Sequence, residues 1–212
     1  MSSTRLYYIH DPMCSWCYAF KPVYQQLLKK LPDTVKVSSL LGGLAADTEQ
    51  PMPVEMQQQL KNTWQRIEQK VPGIQFNFDY WKHAKKTKPR RSTWLACRAV
   101  IAAAAIKPEF ESLMIAGIQT AYYQQATNPS DPETLIEIAQ QLGFNAEQFK
   151  QHLNAAATQQ ELDRQIAFSR QLNVSSFPSL VLQTETSHWP VSIDYNHYQP
   201  ILDTINMILD FD

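Results

Sequence analysis

The sequence has little of what would indicate several common classes of protein. Three cysteines in 212 residues are too few for a disulfide scaffold. No apolar run approaches the roughly 20 residues that span a bilayer, and no basic segment followed by an apolar stretch indicates a secretory signal. The net charge of -1 gives no overall attraction to nucleic acid or to anionic membranes. We therefore expect a cytoplasmic protein with neither nucleic acid nor membrane as a partner.

What the sequence does contain is typical of a globular chain. Hydrophobic residues make up 44% and charged residues 18%, and a chain of this length can bury a sizeable core. Periodicity and turn residues predict four strands, at 5–9, 34–41, 179–183 and 188–193. They also predict eight helices, at 14–31, 54–71, 92–106, 108–125, 131–143, 145–153, 160–172 and 198–209.

The order of these elements indicates the fold. It is β-α-β, then a block of helices, then α-β-β-α, and without the helical block the remainder has the thioredoxin topology. A domain can be inserted into a loop whose ends lie close together. We therefore predict an α/β thioredoxin-like domain, made of residues 1–52 and 159–212, that is interrupted by an all-helical domain of residues 53–158.

The pair Cys14 and Cys17 forms a C-x-x-C motif between the first strand and the first helix, a context typical of a redox pair. One helical turn brings the two sulfurs within disulfide reach. At the helix N-terminus the free backbone N–H groups and the helix dipole favour an anion, so we expect the reactive thiolate at Cys14. Cys17 lies one turn inside, as suits a resolving thiol that attacks the mixed disulfide on Cys14.

Two other interpretations of the motif remain open. A C-x-x-C can be half of a zinc site, but the sequence has no second C-x-x-C, and His10 with the two cysteines still lacks a fourth ligand. We therefore predict no metal ligands. The two cysteines could also be a purely structural pair of buried thiols.

Two segments carry a resemblance to a known family: residues 7–18 (YYIHDPMCSWCY) and residues 174–181 (VSSFPSLV). With the order of elements, they resemble the DsbA-like branch of thioredoxin-fold proteins, in particular the FrnE-like group of cytosolic dithiol oxidoreductases. The resemblance implies that Cys14 is the nucleophile, that Cys17 resolves, and that a cis-proline, here Pro178, faces the pair. Thioredoxins also carry a kinking proline five residues after the second cysteine, where this chain has Pro22.

The dipeptide Ser15-Trp16 departs from the Pro-His of many oxidising members and the Gly-Pro of reducing thioredoxins. Because the dipeptide influences the redox potential, the direction of electron transfer stays open. A second enzyme class that resembles this architecture comprises the kappa-type glutathione transferases and the hydroxychromene-carboxylate isomerases. These enzymes carry serine where this chain has Cys14, which favours the oxidoreductase. A non-enzymatic module that binds a metal or a partner is the third alternative.

The segment around Pro178 is expected to form part of the site. Proline is tolerated at the first position of a strand, and beside a C-x-x-C motif we predict a cis Phe177–Pro178 bond close to Cys14. Such a loop would expose the backbone of Phe177 to an extended substrate. We predict that Phe177, Ser176 and Trp16 contact the substrate, which is a protein or peptide disulfide or a small thiol. No cofactor is expected beyond glutathione as a co-substrate.

Other residues allow two interpretations each. His10 could stabilise a thiolate or transfer protons, or it could simply end the strand. Cys97 is interpreted as a small buried hydrophobe on an alanine-rich helix rather than as a third redox thiol. The basic cluster at 82–91 is interpreted as a solvated loop rather than as a site for an acidic partner. Of the aromatic residues after Cys14, Tyr18 could border the site, whereas Phe20 is expected in the core.

Overall fold

The computed structural model describes residues 4–82 and 89–211. Four strands form one sheet: β1 (Arg5–His10), β2 (Lys36–Leu41), β3 (Ser179–Gln183) and β4 (His188–Val191). The spatial order is β2-β1-β3-β4. Strands β1 and β2 are parallel, and β3 is antiparallel to both β1 and β4. The predicted α/β thioredoxin fold is confirmed.

Helices account for most of the remaining structure. Across the described ranges we number them α1 (Ser15–Leu28), α2 (Val54–Lys70), α3 (Asp79–Lys82), α4 (Trp94–Ile106), α5 (Glu111–Tyr123), α6 (Pro132–Gln141), α7 (Ala146–Leu153), α8 (Ala156–Gln171) and α9 (Gln199–Phe211). Pro22 lies inside α1. Within the part of the chain that the structure covers, no helix combines the length and the apolarity needed to cross a membrane.

Several helical segments differ from the sequence-based prediction. The first helix, predicted to reach residue 31, ends at Leu28. The helix predicted from residue 160 begins at Ala156, because the alanines at its start are strong helix formers. The helix predicted from residue 108 starts with a 3-10 turn, Pro108–Phe110, before α5 begins. Helix α3 was not predicted, since four residues are too few to show a periodicity.

The two faces of β1 enter different parts of the core. Leu6 and Tyr8 pack with residues of α1 and α9, whereas Tyr7 and Ile9 pack against α8. This alternation follows from the two-residue period of a strand. The largest apolar cluster is formed mainly by the helices from α2 to α8 and includes Met13, beside the cysteine motif. Helix α8 runs across the expected boundary at 158, and the division into domains stays a prediction.

Candidate active site

Cys14 occupies the N-cap position of α1. Its backbone is extended, with φ −82° and ψ 118°, and the helix begins at Ser15. The amide of Cys14 donates to the carbonyl of Asp11 at 3.1 Å, which closes the turn after β1. No acidic side chain lies in the first turn of α1. Cys14 therefore stands at the end of the helix where the first backbone N–H groups have no intrahelical partner, and helix N-termini in general favour a negative charge.

The loop before β3 faces Cys14, as the sequence predicts. The Cys14 thiol donates to the carbonyl oxygen of Phe177 at 3.4 Å. The Phe177–Pro178 bond is cis, so the predicted cis bond close to Cys14 is confirmed. Pro178 is buried, Phe177 is half-buried, and Ser176 is exposed.

Gly42, at the end of β2, allows the ring of Phe177 to lie against the main chain. A Cβ atom on Gly42 would come within 2.0 Å of Phe177 Cε1. Real Cβ atoms essentially never approach another heavy atom closer than 3.0 Å. The same residue donates its amide to the carbonyl of His10 at 2.7 Å. Gly42 therefore contacts both β1 and the Phe177 loop, and no room remains at this position for a side chain.

Cys17 is shielded from solvent, as expected of a resolving thiol. Only 1% of it is exposed, against 7% of Cys14. Burial raises the pKa of Cys17, and its contact with Cys14 acts in the same direction. Both cysteines are free thiols. The site therefore holds one buried cysteine at the helix terminus and, one turn behind it, a still more deeply buried cysteine whose raised pKa keeps its sulfur protonated.

A buried carboxylate ties the cysteine loop to the helical part of the molecule. Asp11 is fully buried, and its Oδ1 accepts the amide of Met13 at 2.8 Å. Its Oδ2 accepts the amide of Leu44 at 2.8 Å, the hydroxyl of Thr93 at 2.6 Å and the thiol of Cys97 at 3.5 Å. Burial raises the pKa of Asp11, and these hydrogen bonds partly offset the shift. In the sequence this residue only marks the end of the strand.

His10 is a buried, uncharged residue. Its Nε2 lies 2.7 Å from Ser39 Oγ, and its ring stacks on Tyr8 with centroids 4.7 Å apart. Burial lowers the pKa of His10 to about 4. At neutral pH His10 therefore carries no positive charge with which to stabilise a thiolate directly. Its part in proton transfer stays a prediction.

Aromatic side chains surround the motif. The ring of Trp16 lies 4.8 Å from that of Tyr195, and Tyr18 stacks on Tyr123 at 4.6 Å. The hydroxyl of Tyr123 donates to the carbonyl of Met13 at 2.6 Å. The aromatic border proposed from sequence thus contains Trp16 and Tyr18. Phe20 is a fully buried core residue, as expected.

Two cavities adjoin the site. One, of about 460 Å³, lies along the Phe177 loop and the β3–β4 hairpin and is lined in part by Ser176 and Pro178. The other, of about 540 Å³, reaches Cys17 from behind and is lined in part by His10 and Lys21. Because Cys17 is almost fully shielded, a macromolecular substrate would meet Cys14 and the Phe177 loop first.

The remaining features predicted from the sequence are Cys97 and the basic cluster. They lie away from the sulfurs of Cys14 and Cys17 or make contacts that stabilise the fold. Cys97 is fully buried, which confirms its interpretation as a core residue. In the basic cluster, Lys82 pairs with Asp79, and Arg90 pairs with Glu49 and Asp131. Lys85, Lys86 and Lys88 lie outside the described residues. Within 4–82 and 89–211, no group of three or more metal-binding side chains is suitably placed to hold a metal ion.

Sequence reasoning did not find Asp11, Gly42, Thr93, Tyr195 or Arg66, which contacts Trp16. Each of these residues contacts a partner that is remote in sequence. Gly42 does so because it lacks a side chain. Asp11 and the glycine pair at residues 42–43 left local signals, and each of these predicted the end of a strand and nothing about the site.

Comparison with known proteins shows the family to which this chain belongs. A family model described as a DSBA-like thioredoxin domain matches residues 8–198. A proposed protein disulfide isomerase from Nitrosomonas europaea has a similar structure, with a TM-score of 0.84, 25% identity and 99% of each chain covered. The cytosolic disulfide reductase DsbM from Pseudomonas aeruginosa superimposes with a TM-score of 0.74 and 21% identity, over 98% of this chain and 100% of that protein.

A sequence relative of this chain has a different described role. The ClpXP adapter protein SpxH of Bacillus subtilis is 22% identical over an alignment of length 205 that covers 93% of this chain and 66% of that protein. This chain thus spans about two thirds of that relative. The match over 8–198, the sheet order and the neighbouring structures agree with the expected disulfide oxidoreductase enzyme. The chain belongs to the family of DsbA-like thioredoxin domain proteins.

Proposed function

We propose that the protein exchanges thiols and disulfides, with Cys14 as the nucleophile and Cys17 as the resolving thiol. The observation that carries this proposal is the position of Cys14. It lies at the N-terminus of α1, and its sulfur is 3.4 Å from the carbonyl oxygen of Phe177. The first feature favours a thiolate. The second places the sulfur beside a backbone edge to which an extended peptide can pair.

The reaction has two balanced steps. The Cys14 thiolate attacks one sulfur of a substrate disulfide, so that a mixed disulfide forms and the other substrate sulfur leaves as a thiolate. Cys17 then gives up its proton, which the departing thiolate can accept, and attacks the Cys14 sulfur. The second substrate sulfur then leaves as a thiolate and takes a proton from water, so that the substrate ends as two thiols and two electrons have passed to it from the Cys14–Cys17 pair. Reduction of the resulting Cys14–Cys17 disulfide by a thiol restores the starting state.

The raised pKa of Cys17 fits this order of events. A protonated, buried Cys17 does not compete with Cys14 for the incoming disulfide, because the thiolate is the attacking species. Once the mixed disulfide forms, Cys17 lies one helical turn from the sulfur that it must attack. In this mechanism the substrate reaches Cys14, and Cys17 lies close enough to Cys14 to attack it.

Glutathione is the co-substrate that we propose for recycling, and protein or peptide disulfides and small thiols are the proposed partners. DsbM is described as a cytosolic disulfide reductase and has also been solved with GSH, which supports both this choice and a cytoplasmic location. Isomerisation of wrong disulfides would use the same first step, after which another thiolate of the substrate attacks the mixed disulfide, forms the new substrate disulfide and releases Cys14 before Cys17 attacks.

Single substitutions test the assignment of the two sulfurs. Cys14→Ser should abolish reduction of a small disulfide, whereas Cys17→Ser should react once with glutathione disulfide and retain glutathione on Cys14, as seen by peptide mass spectrometry. Cys97→Ala is the matched control and should keep the wild-type rate. Disulfide exchange by Cys14→Ser would overturn the proposal.

The same proteins test the two alternatives. Conjugation of glutathione to an electrophile by Cys14→Ser would favour a transferase. One equivalent of zinc, lost on substitution of either Cys14 or Cys17, would favour a metal-binding module.

A further inference from the structure

Trp16, the residue before Cys17, is held between two side chains that are remote in sequence. Tyr195 packs at 4.8 Å between ring centroids. The guanidinium carbon of Arg66, on α2, lies 5.7 Å from the centroid of the Trp16 ring. Arginine is attracted to the face of an indole ring by its quadrupole. This contact brings a permanent positive charge to the border of the cysteine site.

The charge of Arg66 has no acidic partner among the described residues, within 4–82 and 89–211. Its side chain is exposed. Asp11, the carboxylate nearest to the motif in sequence, is buried and engaged by the amides of Met13 and Leu44 and by Thr93. The guanidinium is therefore neither paired with a carboxylate nor buried, and its N–H groups can bind an incoming anion.

We propose that Arg66 forms an anion subsite beside Cys14 that favours disulfides carrying a carboxylate close to the sulfur. This inference rests on the proposed function. Only Ser15 separates Trp16 from Cys14 in the chain, so their Cα atoms are at most about 7 Å apart. A small substrate held on Cys14 can therefore pass along the edge of the Trp16 ring toward the Arg66 guanidinium. The planar guanidinium matches a carboxylate in a two-pronged hydrogen bond, which a lysine cannot reproduce.

The experiment follows the oxidation of the reduced protein by three small disulfides of different charge. They are dithiodipropionate, which is anionic, 2-hydroxyethyl disulfide, which is neutral, and cystamine, which is cationic. Each turnover converts one disulfide to two thiols and the two protein thiols to one disulfide, so it needs no further reagent. Acid quenching, alkylation and mass measurement give the second-order rate constant for each probe.

The variants are Arg66→Gln, Arg66→Lys and the control Lys61→Gln. Lys61 is on the same helix, about 140° around its axis at 100° per residue, so its removal changes the net charge equally and leaves Trp16 untouched. Comparison of each variant with wild type, probe by probe, cancels the intrinsic reactivity of the probes.

We expect Arg66→Gln to slow the reaction of dithiodipropionate by about three- to tenfold. The rate with 2-hydroxyethyl disulfide should stay within about twofold of wild type, and cystamine should react no slower. Arg66→Lys should recover only part of the loss, and the loss should shrink at high ionic strength.

Equal losses with all three probes would show that Arg66 only supports Trp16 and would overturn the subsite. An unchanged rate with dithiodipropionate, or the same loss in Lys61→Gln, would also overturn it. If the wild-type protein reacts with none of the probes, the proposed function itself fails. That outcome is distinct from a protein that reacts without charge preference.

Discussion

Gly42→Ala should damage the site without touching either cysteine. The added Cβ would lie 2.0 Å from Phe177 Cε1, whereas ordinary contact begins at 3.4 Å. The ring must therefore retreat by about 1.4 Å, or the main chain at the end of β2 must move instead. Overpacking of this kind costs about 1–3 kcal/mol of unfolding free energy. Because the Phe177 carbonyl accepts the Cys14 thiol, the displacement reaches the reacting sulfur.

We expect the rate of disulfide exchange to fall by about tenfold or more, since a displacement near 1 Å can cost up to about a hundredfold. The matched control is Gly73→Ala. Gly73 has φ +83°, so alanine is strained there, but no atom lies within 4 Å of the new Cβ. That variant should lose stability and keep its rate. The assay is the oxidation of the reduced protein by 2-hydroxyethyl disulfide, alongside urea unfolding of each variant.

Two results would refute this reasoning. A rate for Gly42→Ala within about twofold of wild type would show that the position of Phe177 does not matter. Equal loss of rate in Gly42→Ala and Gly73→Ala would show that activity follows stability rather than the geometry of the loop.

The remaining predictions concern buried polar groups. Asp11→Asn places an amide among donors from Leu44, Thr93 and Cys97, so urea unfolding should show a loss of about 2 kcal/mol or more; wild-type stability would contradict the role of this carboxylate. Cys97→Ala should cost about 1–2 kcal/mol and leave exchange unchanged, and a lost rate would reveal a third redox thiol. For His10, the pKa falls from 6.5 to about 4 on folding. Between these two pKa values the unfolded chain binds more protons than the folded protein, so stability falls as the pH falls. Between pH 7 and 5 the wild type should lose about 2 kcal/mol more than His10→Asn, and equal losses would contradict a neutral His10.

The parts of the site that could be predicted are those with a local signature. The aromatic and β-branched residues at 5–9 indicate a strand, and the C-x-x-C motif that follows it indicates a helix start with a reactive sulfur. Pro178, in front of a short apolar strand, supplied the facing loop. The strand and the C-x-x-C motif involve neighbours in sequence, so local pattern was enough to recognise them, whereas the position of Pro178 opposite the cysteines was implied by the resemblance to DsbA-like proteins.

The unpredicted parts depend on contacts between distant segments. Asp11 meets Thr93 82 residues along the chain, and Gly42 meets Phe177 across the sheet. Arg66 meets Trp16 only because α2 packs beside α1. Neither a period nor a motif relates such residues, because their proximity is a product of tertiary packing.

The most direct test of the central claim is a redox titration of the protein in glutathione buffers, quenched by alkylation and read by mass. We predict a reversible disulfide between Cys14 and Cys17 that leaves Cys97 reduced throughout. A midpoint near thioredoxin's roughly −270 mV would make the protein a reductase, and one near DsbA's roughly −120 mV an oxidant. The absence of a reversible disulfide, or one that includes Cys97, would contradict the account.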